Sequence, residues 1–349
     1  MGSMYTPNFT ISSQLNNLIA QIEAARVRID TASILPEQEI ALRYKALVES
    51  AHSSTSIEGN PLNPHQVRQA LAGELNRWEK SVIEVSNYKK AWDWVTINVN
   101  KSRPLDLAAV LELHAVVMQD LLPVAKTGQL RSGEIYIVDI EDQQETVRYT
   151  GPDYARLPAL LADLFAWVSD QAETLHPVLL TGIFHYEFVS IHPFSDGNGR
   201  VTRLLVKYLL DQLGYNFRDS LVLDKYYWQN QLQYYEALRR AEHYDAQRIA
   251  DLNPWLDYYV LGFFEVVHDL SAQINLCKHL QQSTAEIRLN QQEIQILDYL
   301  HQFRQINLQD MLDMDIPERT AQRRLKRLVD LQLIKKIGAS KKTFYVLGR

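Results

Sequence analysis

The chain has little that would tie it to an oxidising compartment or to a membrane. Cys277 is the only cysteine in 349 residues, so a disulfide within the chain is excluded and a reducing environment fits best. No uninterrupted apolar stretch approaches the roughly 20 residues that span a bilayer, and no basic and apolar leader opens the chain. From these absences we expect a cytoplasmic protein that has no membrane partner.

Low-complexity stretches and internal repeats are also missing, which argues against a solenoid. With 46% hydrophobic residues, a chain of this length can bury a large core and should form more than one domain. We expect an N-terminal helical region at residues 1–110, a central domain at 111–275 and a C-terminal domain at 285–349.

The densest group of chemically useful residues lies between His192 and Arg203, where the sequence reads His-Pro-Phe-Ser-Asp-Gly-Asn-Gly-Arg-Val-Thr-Arg. The glycines let backbone N–H groups approach an anion, and the positive end of a helix that begins here would favour the same anion. Asp196 can hold Mg²⁺, and His192 can take a proton near neutral pH. This set of residues favours phosphate chemistry.

Hydrophobic periodicity places this segment between two helices. Residues 178–191 are nearly all apolar or aromatic and predict a buried helix that delivers His192 to a loop. A second helix follows, and its apolar stripe consists of Val201, Leu204, Leu205, Tyr208 and Leu209. Asp-Gly and Asn-Gly pairs are also ordinary turn formers, so each residue taken singly could be structural. A plain turn does not require two downstream arginines, and the combination therefore favours a functional site.

The segment resembles the motif of the Fic (filamentation induced by cAMP) family at every defining position. The resemblance implies a mainly α fold, in which a Fic-type helical core carries a β-hairpin flap. It also implies transfer of AMP from ATP, with Mg²⁺, to a Tyr, Thr or Ser of a target protein or of the protein itself. The implied roles are a general base at His192, an Mg²⁺ ligand at Asp196, an anion nest at Gly197, Asn198 and Gly199, and ligands of the outer phosphates at Arg200 and Arg203. Relatives that phosphorylate carry Lys at the position of Gly199, so glycine argues against that variant.

A second motif lies upstream, after a segment with a partly amphipathic helical pattern. Ser54, Glu58 and Gly59 resemble the inhibitory motif that accompanies many Fic domains. The resemblance implies that Glu58 forms an ion pair with Arg203 and keeps the terminal phosphate of ATP from binding productively. A carboxylate that competes with a phosphate for one guanidinium must weaken nucleotide binding. Alternatively, Ser54 and Glu58 only decorate a helix end.

Two further features belong to the same resemblance. Residues 134–140 and 146–149 are rich in β-formers and predict a hairpin, which would be the flap that holds a target segment as an added strand. The hairpin could equally be scaffold, and Gly151-Pro152 replaces the Pro-Pro that usually follows. Farther on, Tyr234 or Tyr235 would stack on the adenine, although aromatic stripes are more often part of a core.

The C-terminal segment differs from the rest in charge. From Pro317 to Arg349 there are ten Lys or Arg against two acidic residues, in a chain whose net charge is −6. The pattern predicts three helices and a strand pair around residues 338–342, which is a winged helix-turn-helix. Its basic third helix carries Arg319, Arg323, Arg324, Lys326 and Arg327. DNA is one expected partner, while docking of proteins, homodimerisation and simple solvation are the alternatives.

Two functions of different classes follow. The first is a protein adenylyltransferase restrained by Glu58, and the second is a DNA-binding regulator whose Fic domain senses nucleotide. A complete motif favours the first, because a sensor would not need His192. A narrower alternative is that the same site removes AMP from modified proteins.

Overall fold

The computed structural model describes residues 5–141, 144–283, 290–303, 305–314, 316–338 and 343–348, and most of them are helical. Contacts divide the chain into two compact units, Met1–Ala272 and Gln273–Arg349. The domain boundaries expected at residues 110, 275 and 285 stay predictions. Within the described ranges, no helix is long and apolar enough to cross a membrane.

The first unit is built from helices that are short to medium in length. In chain order these are α1 Ser13–Asp30, α2 Pro36–Ile57, α3 Pro64–Ala72, α4 Lys80–Asn100, α5 Leu107–Val117, α6 Leu157–Gln171, α7 Pro177–Ile191, α8 Asn198–Gln212, α9 Leu223–Gln229, α10 Gln231–Leu238, α11 Tyr244–Ile249 and α12 Asn253–Ser283, the last of which continues beyond Ala272.

Helix α7 lies at the centre of this unit. Nearly every side chain in it is buried, as expected for a helix that is hydrophobic all round. Helices α6 and α8 pack against α7, and α8 also packs against α4 and α5. The predicted helix over residues 178–191 is therefore present. Because α7 ends at Ile191 and α8 begins at Asn198, the six residues between them are held by two buried helices.

A two-stranded hairpin accompanies the helices. Strand β1 Tyr136–Glu141 pairs with β2 Gln144–Thr150 in antiparallel register, with an irregularity between Ile137 and Val138. Residues 142 and 143 of the predicted connection lie outside the described residues. The Tyr149 hydroxyl donates to the Ser190 carbonyl of α7 at 2.6 Å, so the base of the hairpin is anchored beside the end of that helix.

After the end of α12, the described part of the second unit holds three helices followed by a strand pair, in the predicted order. These are α13 Gln291–Phe303, α14 Leu308–Asp313, α15 Glu318–Asp330, β3 Ile334–Ile337 and β4 Phe344–Leu347. A core of aliphatic side chains joins them, including Ile296, Leu300, Met311, Leu325 and Leu328. Residues 339–342 of the predicted wing lie outside the described residues. The winged helix-turn-helix assignment itself stays a prediction.

The basic side chains of α15 fall into two sets. Glu293 is fully buried and caps α13 through reciprocal bonds with Asn290, and it accepts from Arg324 at 3.3 Å and Arg327 at 3.1 Å. These two arginines therefore neutralise an internal carboxylate. Arg319, Arg323 and Lys326 are exposed instead. The sequence pattern could not separate the two sets, because the carboxylate lies on another helix.

Candidate functional site

His192 terminates α7 in a left-handed conformation, with φ of 50°. Its Nδ1 lies 3.1 Å from the Val189 carbonyl, which can only accept, so Nδ1 carries the proton and Nε2 keeps its lone pair. Burial lowers the pKa of His192, although the nearby carboxylates Glu58 and Asp196 oppose this effect. The imidazole is therefore neutral near pH 7, which is the form that a general base needs.

The turn after His192 packs closely against neighbouring side chains. Gly197 has φ of 82°, and a β-carbon at this position would lie 2.6 Å from Met118 Sδ, so only glycine fits. The Asn198 side chain is buried, and its amide donates to the Phe194 carbonyl and accepts from the Phe194 N–H, both at 2.9 Å. The side chain of Asn198 thus closes the turn, and only its backbone is available to an anion nest.

Arg203 and Glu58 are in contact although 145 residues separate them. The Arg203 Nη2 atom donates to Glu58 Oε1 at 2.8 Å and to the Ser54 carbonyl at 2.9 Å, and Nε donates to Ser54 Oγ at 2.8 Å. The ion pair that the resemblance implied is present. Glu58 caps the C-terminal end of α2, and Gly59 follows with φ of 89°, a conformation that favours glycine. The motif does lie at a helix end, as the alternative interpretation holds. That interpretation does not account for the contact between Glu58 and Arg203.

The Glu58 carboxylate also lies against the glycine turn. A β-carbon on Gly199 would come within 2.2 Å of Glu58 Oε1 and 2.9 Å of Arg203 Nη1. The side chain of Glu58 therefore occupies the space beside the backbone at the start of α8, where an anion would sit.

Asp196 and Arg200 are placed differently from one another. The Asp196 side chain is half exposed, and its Oδ1 accepts from the Gly197 N–H at 2.5 Å and from Arg200 Nη2 at 3.3 Å. Arg200 is 4% exposed and directs its guanidinium to Asp196 and to Glu84 of α4, with Nη1 3.8 Å from Glu84 Oε1. The structure thus places Arg200 where it supports the turn, and its expected contact with the outer phosphates stays a prediction.

The two tyrosines predicted near the adenine also differ. Tyr234 is buried, its ring stacks on Tyr227 at 4.8 Å, and its hydroxyl lies 2.9 Å from His185 Nε2. Tyr235 is about half exposed. Of the pair, Tyr235 has the more accessible ring, and Tyr234 is chiefly a core residue. Stacking of either ring on adenine stays a prediction.

One cavity of about 670 Å³ connects these groups, a volume within the usual range for small-molecule sites. One wall is formed by the flap strands and another by α10. The predicted site residues that line it are Glu58, His192, Asp196, Gly197, Asn198, Gly199, Arg203, Tyr234 and Tyr235. In the described part of the chain there is no group of three or more metal-ligating side chains. One half-exposed carboxylate still fits Mg²⁺, which is commonly held by one or two carboxylates together with substrate phosphates.

His114 is a supporting residue that the sequence did not reveal. It is fully buried on α5, and its ring stacks on Phe194 at a centroid distance of 3.8 Å. The Gly128 N–H donates to Nδ1 at 2.9 Å, so Nε2 must carry the proton and donates to the Asp196 carbonyl at 3.1 Å. Burial lowers the pKa of His114 to about 4, which keeps this pair of bonds intact near neutral pH.

Arg131 is a second supporting residue without a sequence signal. Its Nε donates to the His192 carbonyl at 2.8 Å, Nη1 to the Gly133 carbonyl at 2.7 Å and Nη2 to the Pro152 carbonyl at 2.6 Å. One buried guanidinium thus ties the base to the segments that enter and leave the flap. It was visible in the sequence only as a polar residue ahead of a hairpin.

Two buried helices hold a histidine and a glycine turn between them, within a domain that is mostly helical. Residues 104–210 match the model of the Fic/DOC family, and this stretch contains the turn, α7 and most of α8. This part of the chain is therefore similar to the Fic/DOC family.

Known relatives agree with this assignment. The protein adenylyltransferase Fic of Aedes aegypti is 29% identical over 68% of this chain and 47% of its own length. The protein of the same name from Drosophila grimshawi is 30% identical over 62% of this chain and 43% of its own. The chain thus spans less than half the length of each of these relatives.

Solved structures share the fold. A Fic family protein from Desulfovibrio desulfuricans G20 superposes with a TM-score of 0.63 over 98% of both chains, at 24% identity. Fic-1 from C. elegans superposes with a TM-score of 0.56 over 78% of this chain and 74% of that one, at 21% identity. The expected mainly α fold with a Fic-type core is confirmed.

Proposed function

We propose that this protein transfers AMP from ATP to a hydroxyl side chain of a target protein and of itself, and that Glu58 restrains the reaction. One observation carries the proposal: His192, whose Nε2 keeps its lone pair, lines the same cavity as Arg203 and the turn at residues 197–199. A base and an anion site that share one cavity suit transfer of a phosphorus group to a hydroxyl. The relatives named protein adenylyltransferase Fic support the same reaction.

The chemistry follows from these groups. His192 Nε2 takes the proton of the acceptor hydroxyl as its oxygen forms a bond to the α-phosphorus of ATP. The bond between the α-phosphorus and the oxygen bridging to the β-phosphorus breaks, and pyrophosphate leaves with that electron pair. The backbone N–H groups at the start of α8 and the Arg203 guanidinium stabilise the charge that develops on the phosphates. The products are an AMP-modified side chain and pyrophosphate.

Asp196 is the residue that would hold Mg²⁺. Its half-exposed carboxylate lines the cavity, and Gly197 and Arg200 fix its orientation through Oδ1. A magnesium ion bound there would neutralise charge on the departing pyrophosphate. The remaining ligands would be the phosphates and water, as is common for this cation.

Glu58 would restrain the site in two ways. It occupies one N–H of Arg203, and its carboxylate fills the space beside Gly199. A terminal phosphate must displace it from both, so ATP would bind weakly or in a non-productive position.

The acceptor segment would be presented by the flap. Strand β1 carries three adjacent side chains that are more than one-third exposed, Tyr136, Ile137 and Val138, and each lines the cavity. An extended target segment could add to this hairpin and place a Tyr, Thr or Ser near His192.

Radiolabelled ATP distinguishes the alternatives. Label at the α-phosphate should appear on the protein itself, whereas label at the γ-phosphate should not. His192→Ala is the matched control and should abolish labelling. Label from the γ-phosphate alone would mean kinase chemistry, and binding of ATP without transfer would favour the nucleotide sensor. Release of AMP from pre-labelled protein by the parent, and not by Glu58→Gly, would favour AMP removal.

A second function rests on the unit at residues 273–349. Arg319, Arg323 and Lys326 lie three or four residues apart and are exposed, so they share one face of α15. We propose that this face contacts DNA phosphates, as the recognition helix of a winged helix-turn-helix would.

The test uses the full chain and a labelled duplex at several salt concentrations. Changing these three residues to Gln should weaken binding and reduce the salt slope by about 0.9 for each lost phosphate contact. Lys101→Gln, at an exposed site at the end of α4, is the control and should change neither. Absence of binding by the parent at low salt would instead favour protein docking.

A further inference from the structure

Arg203 has two carboxylate neighbours, and the sequence motifs account for only one of them. Besides Glu58, the Asp224 carboxylate lies beside it, with Oδ1 3.2 Å from Arg203 Nε. Asp224 belongs to the first turn of α9 and is 21 residues beyond the glycine-rich motif. It was not among the residues that the sequence analysis singled out for a role.

The two carboxylates differ in how easily they can leave. The Glu58 side chain is 30% exposed and caps a helix end, so it can rotate toward the cavity. The Asp224 side chain is 10% exposed, and its Oδ2 accepts from the Tyr88 hydroxyl at 3.5 Å. Glu58 is therefore the exchangeable partner of Arg203, and Asp224 is the permanent one.

The surroundings of Asp224 are buried and mixed in polarity. A small cavity of about 30 Å³ lies there, lined by Asp224 and Arg203 and by the hydroxyl-bearing Ser50, Tyr88 and Tyr227. Burial raises the pKa of the Asp224 carboxyl, and the positive charge of Arg203 opposes this effect.

The contacts divide along the edges of the planar guanidinium. Nε faces Asp224 and Ser54 Oγ, while Nη2 faces the Ser54 carbonyl and Glu58. When Glu58 leaves, one N–H of Nη2 is released and the contacts at Nε remain. The guanidinium then keeps its plane and offers the released N–H toward the cavity, without the rotamer search that a long side chain otherwise makes.

We propose that Asp224 is a positioning residue that holds Arg203 in place for the terminal phosphate of ATP after Glu58 has moved away. This inference rests on the proposed roles of Glu58 and Arg203. It assigns the specificity for a nucleoside triphosphate over a diphosphate to a buried ion pair behind the cavity.

Calorimetric binding of ATP and ADP isolates this effect from catalysis, because the two nucleotides differ by the terminal phosphate. In Glu58→Gly protein, ATP should bind more tightly than ADP. Adding Asp224→Asn should lower that preference by about tenfold, because Arg203 loses the charged partner whose Oδ1 lies 3.2 Å from its Nε. ADP affinity should stay within about twofold. Asp211→Asn is the matched control, since Asp211 is a buried carboxylate on α8 that pairs with Lys207, and it should leave the preference unchanged.

Each other outcome has a definite meaning. An unchanged ATP preference after Asp224→Asn overturns the proposal, and so does an equal loss of ATP and ADP affinity, which would mean that Asp224 only supports the fold. If Asp224→Asn does not fold, Asp224→Glu keeps the charge but displaces the carboxylate, and it should lower the same preference. If Glu58→Gly binds ATP no better than the parent does, the restraint by Glu58 fails, and Asp224→Asn alone then decides the inference by the same ratio.

Discussion

Under the proposed function, replacing Glu58 by glycine should raise self-modification strongly. In the parent, the carboxylate accepts from Arg203 Nη2 at 2.8 Å and fills the space beside Gly199. The substitution removes both obstacles to the terminal phosphate. Because Glu58 is the C-terminal cap of α2 and is followed by Gly59 in a left-handed conformation, a glycine at position 58 should not disturb the helix that precedes it.

The size of the effect follows from the contact that is lost. The Arg203 side chain is 2% exposed and that of Glu58 is 30% exposed, so solvent screens the pair only in part. A charge-assisted hydrogen bond of this kind contributes about 1.5–3 kcal/mol. At 1.4 kcal/mol for each factor of ten, self-modification should rise about ten- to a hundredfold.

The assay is incorporation of label from α-labelled ATP at matched Mg²⁺, with Arg203→Ala as the control variant. Removing the arginine releases the restraint but also removes the phosphate ligand, so Arg203→Ala should not be activated. The double variant should behave like Arg203→Ala alone. A Glu58→Gly protein no more active than its parent would refute the reasoning and reduce the upstream motif to a helix end.

The remaining predictions concern the base, the metal ligand and the flap. His192→Ala should lower the rate of AMP transfer by about 10²–10⁴ and leave ATP affinity nearly unchanged. Single-turnover kinetics would measure the rate and calorimetry the affinity. Full activity of this variant would show that His192 is not the general base. Because burial lowers the pKa of His192, the neutral base persists above that pKa, and the rate should fall only as the pH drops below the ordinary histidine value of about 6.5. If the rate had already fallen to half of its maximum at a pH above 7 as the pH was lowered, this expectation would be contradicted. Asp196→Ala should weaken Mg²⁺-dependent ATP binding in calorimetry, and an unchanged affinity would show that another group holds the metal. Arg131→Lys loses the three-way contact of the guanidinium, so kcat should fall while ATP affinity holds; a parallel fall of both would point to general unfolding.

Local patterns in the sequence were enough to predict the helices around the site. The apolar run at residues 178–191 and the stripe after Gly199 correspond to α7 and α8, because burial of one face or of all faces leaves a periodic trace. The hairpin was predicted to within two residues at each described strand end, since β-branched runs on either side of a polar stretch leave a comparable trace.

Contacts between distant segments left no such trace. The resemblance implied that Glu58 meets Arg203, but nothing in the sequence related Asp224 to the same guanidinium. His114 and Arg131 support the glycine turn and the flap through backbone carbonyls, which every residue possesses. Because a backbone carbonyl is the same in every residue, a sequence pattern cannot indicate which one a side chain will contact.

Two arginines that the motif groups together have different contacts in the structure. Arg200 and Arg203 stand three positions apart on the first turn of α8, yet Arg200 is directed to Asp196 and Glu84 and only Arg203 lines the cavity. Helix periodicity places both near the turn and cannot decide between them. What separates them in the structure is Glu84, a carboxylate on α4 whose Oε1 lies 3.8 Å from Arg200 Nη1.

Gly199 joins the two proposed functions of the turn at a single position. Its missing side chain allows a phosphate to approach the backbone N–H groups at the start of α8, and it also leaves room for the Glu58 carboxylate. Any β-carbon at this position would lie 2.2 Å from Glu58 Oε1 and would push the restraint aside while narrowing the anion site. Under the proposed function, the Glu58 carboxylate and a phosphate of ATP would therefore compete for the one space that glycine leaves at position 199.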